Sequence, residues 1–455
     1  MTLDRKIIPK PNKQSRFLLP KIIEFKIGEF LNVHFVQKNN LPIVRFGLIS
    51  DVGSTIDPNG KKGLANLFSM LIDEGAGKFD SMQLKEQFQI LGTNLSIGAS
   101  KDSCSFSFLT LKENFDRSLE LLNLILNEPN FKEDEFKKEK DKLLTGIQQI
   151  KDSPDDIADL AFDSLIFNNT SSYSYPTSGY AENVESITLD DVKNFYKSIF
   201  LQSSINIVVV GDIAKEELEN KIRKFITPWK STIKKKSKNI FVVDTKTKIY
   251  FADKKESVQS EIRVGHITCK RNETDFYSNA LLNTILGGQF SSRINLNLRE
   301  DKGYTYGAHS GFNYYKNAGY FYVTTSVEGK FTSAAIKEIL FEMKKIKKGV
   351  TEEELTFAKS SIIKRFPLNF ETYGQIASNL TNKIEHNLSI SYYNNYVKNI
   401  SNVDNQMIKN SAENFIRPDN AVIMVVGDKK NILPQLEDLN KYEVIEVDNY
   451  GKIQK

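Results

Sequence analysis

The residues with the clearest potential for chemistry lie about two-thirds along this 455-residue chain. Arg299 and Tyr306 fall seven positions apart there, in the stretch LREDKGYTY. A guanidinium and a phenol are hydrogen-bond donors that can meet a peptide carbonyl in a partly dry cavity and stabilise developing negative charge. The competing interpretation is that Arg299 pairs with Glu300 or Asp301 at the surface and that Tyr306 packs in a strand.

Metal chemistry has few ligands to draw on. The four histidines are spread along the chain, with no two closer than 43 residues; they are His34, His266, His309 and His386. Their spacing is not that of zinc ligands on one helix or hairpin, so we expect ordinary strand or surface positions. The two cysteines, Cys104 and Cys269, are predicted to be free thiols, with a disulfide between them as the alternative.

A loop rich in turn-forming residues, 53–60, leads into a segment with helical periodicity. Its apolar residues recur with helical spacing at Leu64, Leu67, Phe68, Leu71 and Ile72. This predicts a helix over 64–74 with one buried stripe. Asn66 and Met70 are four apart and share a face, with Ser69 beside them. From these residues alone, the prediction is a helix packed in the core.

The chain repeats itself once. Three landmarks return after 216 to 219 residues: a Gly-Asp pair that ends an apolar run (211–212 and 427–428), an acidic helix start (130–136 and 349–355), and an alternating strand before a Leu-rich helix (44–50 and 261–268). The acidic residues stand in the first turn, where the helix dipole favours them. An internal duplication explains all three; the alternative is similar patterning without common origin.

The duplication predicts two homologous domains, residues 1–230 and 241–455, joined by a basic linker at 231–240. Each half mixes runs of strands with runs of long helices rather than alternating them strictly. We therefore expect an α+β fold in which each domain is a largely antiparallel sheet with helices packed on it. The helix at 64–74 should correspond to one at 277–286.

The composition is that of an ordinary globular protein, 40% hydrophobic and 26% charged. A net charge of +5 is too small to indicate a nucleic-acid or membrane partner. No apolar run approaches the ~18 residues of a membrane span, and the N-terminal stretch lacks the apolar segment of a secretory signal. The expectation is a cytoplasmic protein, or a periplasmic one if an export signal precedes this sequence.

The segment 53–75 resembles the signature of the inverted-motif zinc peptidases, the M16 family of pitrilysin, insulinase and the mitochondrial processing peptidases. In that family two histidines of H-x-x-E-H bind Zn²⁺, and the Glu takes a proton from bound water. Here those three places hold Asn66, Ser69 and Met70. The third family ligand, a Glu on a later helix, is replaced at Thr145-Gly146.

The segment 287–306 is similar to the most recognisable motif of the family's C-terminal half, in which Gly-Gly and Ser-Arg lead to L-R-E-x-x-G-x-x-Y. The resemblance, which runs from about residue 47 to residue 428, implies that Arg299 and Tyr306 face the cavity opposite the zinc. There they would bind the substrate backbone and help hold the oxyanion. The Gly287-Gly288 pair is predicted to be a helix C-cap rather than a phosphate loop.

Loss of the zinc site beside a retained Arg/Tyr pair implies the division of labour of the family's two-chain branch. The hypothesis is a non-catalytic, substrate-binding subunit of a heterodimeric zinc metallopeptidase that degrades peptides. It would have no cofactor of its own, and a partner paralogue with H-x-x-E-H would hold the zinc. The alternatives are a purely structural subunit, like the family members in respiratory-complex cores, and a stand-alone peptide-binding protein.

Overall fold

The computed structural model describes residues 17–29, 31–168, 171–226, 246–271 and 273–454. Within them lie two six-stranded sheets, one from each half of the sequence. The predicted linker, 231–240, falls outside the described residues, so the domain boundaries stay predictions. None of the described helices is long and apolar enough to cross a membrane.

The sheet of the first half has the strand order β1-β2-β8-β3-β7-β6, and β4 and β5 form a separate two-stranded ribbon. The strands are β1 (Ile23–Ile27), β2 (Leu31–Gln37), β3 (Ile43–Ser50), β4 (Gly75–Ala76), β5 (Phe79–Asp80), β6 (Ser96–Ala99), β7 (Cys104–Leu111) and β8 (Ile205–Gly211). The helices are α1 (Leu64–Leu71), α2 (Ser81–Ile90), α3 (Phe115–Asn127), α4 (Glu133–Ile150), α5 (Pro154–Ile166), α6 (Ala181–Ser186), α7 (Leu189–Ser198) and α8 (Lys215–Phe225).

The sheet of the second half has the order β14-β9-β13-β10-β12-β11. Its strands are β9 (Lys248–Asp253), β10 (Gln259–Thr268), β11 (Ala308–Tyr314), β12 (Gly319–Glu328), β13 (Val422–Gly427) and β14 (Glu443–Glu446). The helices are α9 (Glu273–Leu286), α10 (Arg293–Asn295), α11 (Thr332–Lys345), α12 (Glu352–Arg365), α13 (Tyr373–Glu385), α14 (Ser391–Asn402), α15 (Asn405–Phe415) and α16 (Lys429–Leu436).

The two sheets repeat one design. Their central strands match in order and direction: β8 pairs in parallel with β2 and antiparallel with β3, as β13 does with β9 and β10. One edge strand differs, because β1 is antiparallel to β2 whereas β14 is parallel to β9, while the opposite edges match, with β6 and β11 antiparallel to β7 and β12. α1 and α9 follow β3 and β10, the correspondence that the sequence predicts. The predicted fold class, two homologous α+β units with largely antiparallel sheets, is confirmed.

Strand alternation explains how each sheet faces its core. Along β3, Val44, Phe46 and Leu48 are fully buried, while the residues between them are partly exposed. These side chains join the apolar stripe of α1 in the first core. Cys104 is a buried free thiol and Cys269 is a half-buried one, as predicted.

One helix from each half of the sequence packs on the sheet of the other half. α5, from the first half, packs on β10 and β13, whereas α13, from the second half, packs on β3 and β8. Arg263 of β10 is 3% exposed and donates from Nε to Asp159 of α5 at 2.6 Å, with Asp155 as a further partner. The Tyr373 hydroxyl of α13 accepts from the N–H of Leu41 at 3.0 Å. The sequence analysis did not predict this exchange.

Candidate functional site

The helix that carries the first motif is capped from the preceding loop. Gly63 has a φ of +101°, a left-handed conformation that favours glycine, and α1 begins at the next residue. The Asp57 carboxylate accepts hydrogen bonds from the backbone N–H groups of Gly63 (2.9 Å) and Ala65 (3.0 Å), satisfying donors that the first helical turn leaves unpaired. α1 ends at Leu71, three residues before the predicted end. A turn follows, in which the N–H of Glu74 donates to the Leu71 carbonyl.

The three positions of the H-x-x-E-H motif lie on α1 as predicted, but their side chains do not fit zinc. Asn66 and Met70 are half-buried, and Ser69 is 4% exposed. The Ser69 hydroxyl is already bonded to the carbonyl of Asn66 at 2.7 Å. Zinc takes thiolate, imidazole and carboxylate ligands, whereas an amide, a hydroxyl and a thioether are poor ones. The Glu of the motif, which would take a proton from bound water, is replaced by Ser69.

The position of the third ligand is equally unsuited. α4 packs against α1, so the helix that should supply the ligand is in place. Thr145 is exposed, and its hydroxyl donates to the Asp141 carbonyl at 2.8 Å. Gly146 has no side chain, and a Cβ there would meet no atom within 4 Å. The scaffold of a zinc site is therefore present without its ligands.

Two carboxylates on or beside the helices of this region, Glu74 after α1 and Glu139 on α4, belong to an ion-pair network. Glu74 is 5% exposed and accepts from Ser81 and Lys85. Burial opposes ionisation of Glu74, but these hydrogen bonds outweigh it and lower its pKa. Lys138 lies 3.5 Å from Glu74 and 4.0 Å from Glu139, so both acids are neutralised by lysines. In the described part of the chain, no group of three His, Cys, Asp or Glu side chains could hold a metal ion.

The second motif begins where α9 ends. The N–H groups of Gly287 and Gly288 both bond to the Asn283 carbonyl, at 3.0 and 2.7 Å, which closes the helix as the sequence predicts. A side chain at Gly287 would collide with Ser310 of β11, and one at Gly288 would collide with Asn283. The Gly-Gly pair therefore brings the loop that follows it close against the sheet.

The two arginines of this motif have different surroundings. Arg293 is 14% exposed and binds Glu354 of α12 through two nitrogens, at 2.6 and 2.7 Å. Its hydrogen bonds hold the pKa of the Glu354 carboxyl below the ordinary value. This bidentate pair fixes α10 to the start of α12, so Arg293 has a structural role.

Arg299 lies on a π-helical turn, Leu296–Asp301, that continues α10. Such turns are rare and occur often at functional sites. Its side chain is 35% exposed, with Nε 3.5 Å from a carboxylate oxygen of Glu300, a long contact between exposed groups. The guanidinium carbon lies 4.3 Å from the ring centre of Phe290. The expected pair with Glu300 thus exists, but it leaves most guanidinium donors without a carboxylate.

Tyr306 does not pack in a strand, since β11 begins two residues later. It is 91% exposed, and its hydroxyl has no hydrogen-bond partner in the described ranges. The turn beneath it is rigidly bonded: the Thr305 hydroxyl lies 2.7 Å from the Ser326 carbonyl and accepts from the N–H of Gly307 at 3.1 Å. The Thr325 hydroxyl donates to the Gly307 carbonyl at 3.0 Å. A fixed backbone therefore presents an exposed phenol.

Sequence reasoning missed Phe290, whose ring stacks on Arg299 while 62% of its surface is exposed. The available signal was a large aromatic residue in the loop after Gly-Gly, with no helical or strand periodicity to require it. Arg299 and Tyr306 lie in the second half, whereas the zinc positions and Thr145-Gly146 lie in the first. Arg299 and Tyr306 thus have accessible side chains in one half, while the zinc positions of the other half hold no zinc ligands.

Two family models match consecutive parts of the chain. The model of "Insulinase (Peptidase family M16)" matches residues 33–180, and that of "Peptidase M16 inactive domain" matches residues 186–362. Together they span most of the chain, which therefore belongs to the M16 peptidase family. It is a member of this family whose zinc-binding positions lack the ligands of a catalytic site.

The curated relatives include one that is named as a non-peptidase and others that are named as zinc proteases. The "Non-peptidase homolog YmxG" of Helicobacter pylori is 23% identical, covering 88% of this chain and 92% of the relative. The "Uncharacterized zinc protease YmxG" of Bacillus subtilis is 25% identical over 75% and 83% of the two chains. A crystal structure of a peptidase M16 inactive domain from Pseudomonas fluorescens superposes with a TM-score of 0.82 and 24% identity, covering 90% of this chain and 98% of that one.

Proposed function

We propose that this protein is the non-catalytic, substrate-binding subunit of a heterodimeric zinc peptidase, whose zinc is held by a paralogue with an intact H-x-x-E-H motif. One observation carries the proposal: Tyr306 is 91% exposed on a hydrogen-bonded turn, in a chain whose zinc positions have lost their ligands. The exposed ring and hydroxyl of Tyr306 are available to a second molecule. Tyrosine and arginine are also enriched among the residues that contribute most to binding.

The two side chains would act on the peptide backbone. The guanidinium of Arg299 carries several N–H donors in a plane, and the phenol of Tyr306 carries one O–H donor. Placed against the carbonyl under attack, these donors bind the substrate and stabilise the negative charge that develops on its oxygen. The partner's zinc and glutamate would supply the attacking water. Recognition through the backbone favours unfolded peptides of loosely defined sequence.

A purely structural subunit is the alternative, and the contrast between the arginines argues against it. Arg293 is bonded bidentately to Glu354, as a scaffold requires. Arg299, six residues later, has a 3.5 Å contact with exposed Glu300 and a ring beneath it. A scaffold gains little from such an arrangement, because exposed ion pairs contribute only about 0–1 kcal/mol.

The test is peptide turnover by the chain reconstituted with a zinc-bearing M16 paralogue from the same genome. Tyr306→Phe removes one hydroxyl and keeps the ring, so kcat should fall roughly 100-fold if the donor serves the transition state. Arg299→Lys keeps the charge but loses the planar fork, so it should also be damaging. The matched control is Tyr304→Phe, since Tyr304 stacks on Phe331 at 4.6 Å and should leave kcat unchanged.

Complex formation is measured in parallel by light scattering after size-exclusion chromatography. Both site variants should assemble like the wild type, because their side chains are expected to face the cavity rather than the subunit contact. Full activity of the Tyr306→Phe, Arg299→Lys double variant in an assembled complex would leave this chain as a scaffold. Absence of any complex would instead favour a stand-alone peptide-binding protein.

A further inference from the structure

A buried asparagine connects the segments that carry the proposed donors. Asn295, at the end of α10, is 4% exposed. Its Nδ2 donates to the carbonyl of Phe290 at 2.6 Å, and its Oδ1 accepts from the N–H of Ala308 at 3.0 Å. One side-chain amide thus bonds two segments through its donor and its acceptor at once. An ionised carboxylate, which only accepts, could make the second of these bonds but not the first.

Both partners of Asn295 adjoin the proposed site. Phe290 provides the ring on which the Arg299 guanidinium lies, at 4.3 Å. Ala308 opens β11 two residues after Tyr306. Arg299 itself follows Asn295 by four residues, on the π-helical turn that continues the same helix. The amide therefore stands at the junction of the loop, the helix and the turn that present the two donors.

We propose that Asn295 is a positioning residue that fixes the separation and orientation of Arg299 and Tyr306. The proposal rests on the proposed function of that pair, and Asn295 itself touches no substrate. Its amide holds the Phe290 loop at one side and the Tyr306 turn at the other. Donors that must meet one carbonyl oxygen need such support, since a displacement of about 1 Å can lower a rate by about 100-fold.

The same helix offers a matched control. Asn297 is 9% exposed and lies two residues further on. Its Nδ2 donates to Glu338 at 3.0 Å and Glu342 at 3.1 Å, both on α11. It therefore fixes the π-helical turn that carries Arg299 to α11, without bonding the Phe290 loop or the Tyr306 turn. Asn297→Leu and Asn295→Leu remove buried amides of equal size, and only the second releases the Phe290 loop and the Tyr306 turn.

The most specific variant is Asn295→Asp, which replaces the side-chain NH₂ group by an oxygen. The new carboxyl keeps an acceptor for the N–H of Ala308. When ionised, it also places an oxygen against the Phe290 carbonyl; when protonated, it donates to that carbonyl as the amide does. In the reconstituted pair, kcat relative to wild type should fall at least roughly 10-fold at pH 8 and recover as the pH is lowered. Asn295→Leu should be impaired at every pH, without recovery.

A second measurement needs neither a partner nor turnover. Hydrogen exchange on the isolated chain should show faster exchange of the Ala308 amide in Asn295→Leu, but not in Asn295→Asp or Asn297→Leu. If the wild-type pair has no activity, the proposed function fails while this measurement still tests the amide's bonds. Unchanged exchange at Ala308, or wild-type kcat in Asn295→Leu, would overturn the positioning role.

Discussion

The pH dependence of stability should report on His266, a histidine buried in the second sheet. It lies on β10, is 2% exposed, and stacks on Phe321 with 5.6 Å between ring centres. Its Nε2 accepts from the backbone N–H of Arg417 at 3.0 Å, and its Nδ1 lies 3.2 Å from the Ile267 carbonyl. A neutral imidazole with its proton on Nδ1 satisfies both bonds. A second proton would point at the Arg417 N–H.

These surroundings favour the neutral form. Burial lowers the pKa of His266 to about 4, with Arg417 and Lys347 adding to the shift and the Ile267 carbonyl opposing it. In the unfolded chain the imidazole titrates near 6.5. Between these values the unfolded state binds more protons, so stability is complete above about pH 6.5 and is lost as the pH falls toward 4. The loss is about 3 kcal/mol, at about 1.4 kcal/mol per unit.

The perturbation is His266→Gln, measured by urea unfolding from pH 7.5 to 4.5. At pH 7 the variant should be less stable than wild type by about 1–2 kcal/mol, because the buried N–H of Arg417 loses a well-placed acceptor. Near pH 4.5 the difference should vanish or reverse, since the variant has no imidazole to protonate. Burial and Arg271 also lower the pKa of His386 to about 4, so His386 contributes to the pH dependence of stability in both proteins. Subtracting the profile of the variant from that of the wild type removes this contribution.

The control is His309→Gln, because His309 is exposed on β11 and surface substitutions usually change the free energy of unfolding by no more than about 0.5 kcal/mol. Parallel pH profiles for wild type and His266→Gln would refute the reasoning. They would show that the buried ring does not resist protonation, whatever its contacts.

Three further outcomes are expected. Arg263→Met should lower the free energy of unfolding by about 1–2 kcal/mol in urea, because it removes the bonds to exposed Asp155 and Asp159 and leaves Glu261, 13% exposed, without its cation; an unchanged midpoint would contradict this. Gly265→Ala should have a lower melting temperature than Gly98→Ala. The Cβ added at Gly265 would collide with β12 and α5, whereas the Cβ added at Gly98 would meet open space. Equal melting temperatures of the two variants would contradict this prediction. Elemental analysis should find no stoichiometric zinc after dialysis, and Asn66→His with Met70→His should give no peptide turnover, since the base and third ligand stay absent; one retained zinc per wild-type chain would refute the assignment.

Local periodicity accounts for the parts of the fold that the sequence predicts. The apolar spacing around Phe68 defines the buried stripe of α1, and the Gly-Asp pairs mark the ends of β8 and β13. These features depend on residues close in sequence. Their repetition after about half the chain was enough to predict two related sheets.

The remaining features depend on contacts between distant residues. The apolar face of α5 is visible in the sequence, but nothing in its period tells which sheet covers it, and Asp159 meets Arg263 across more than 100 residues. The exposure of Tyr306 was equally hidden, because it is set by hydroxyl bonds from Thr305 and Thr325. The contact of Arg299 with Phe290 depends on the π-helical turn, which has no sequence period of its own.

The exchange of α5 and α13 between the sheets has a consequence for how this molecule can be divided. A cut between the halves would separate α5 and α13 from the sheets on which they pack. Val422 and Met424 would then be without α5, and the face of β3 and β8 would be without α13. Neither fragment would then be a closed folding unit, despite the duplication. The two fragments would instead be complementary, each completing the other when both are present. The two halves, similar as they are, therefore depend on each other for a complete core.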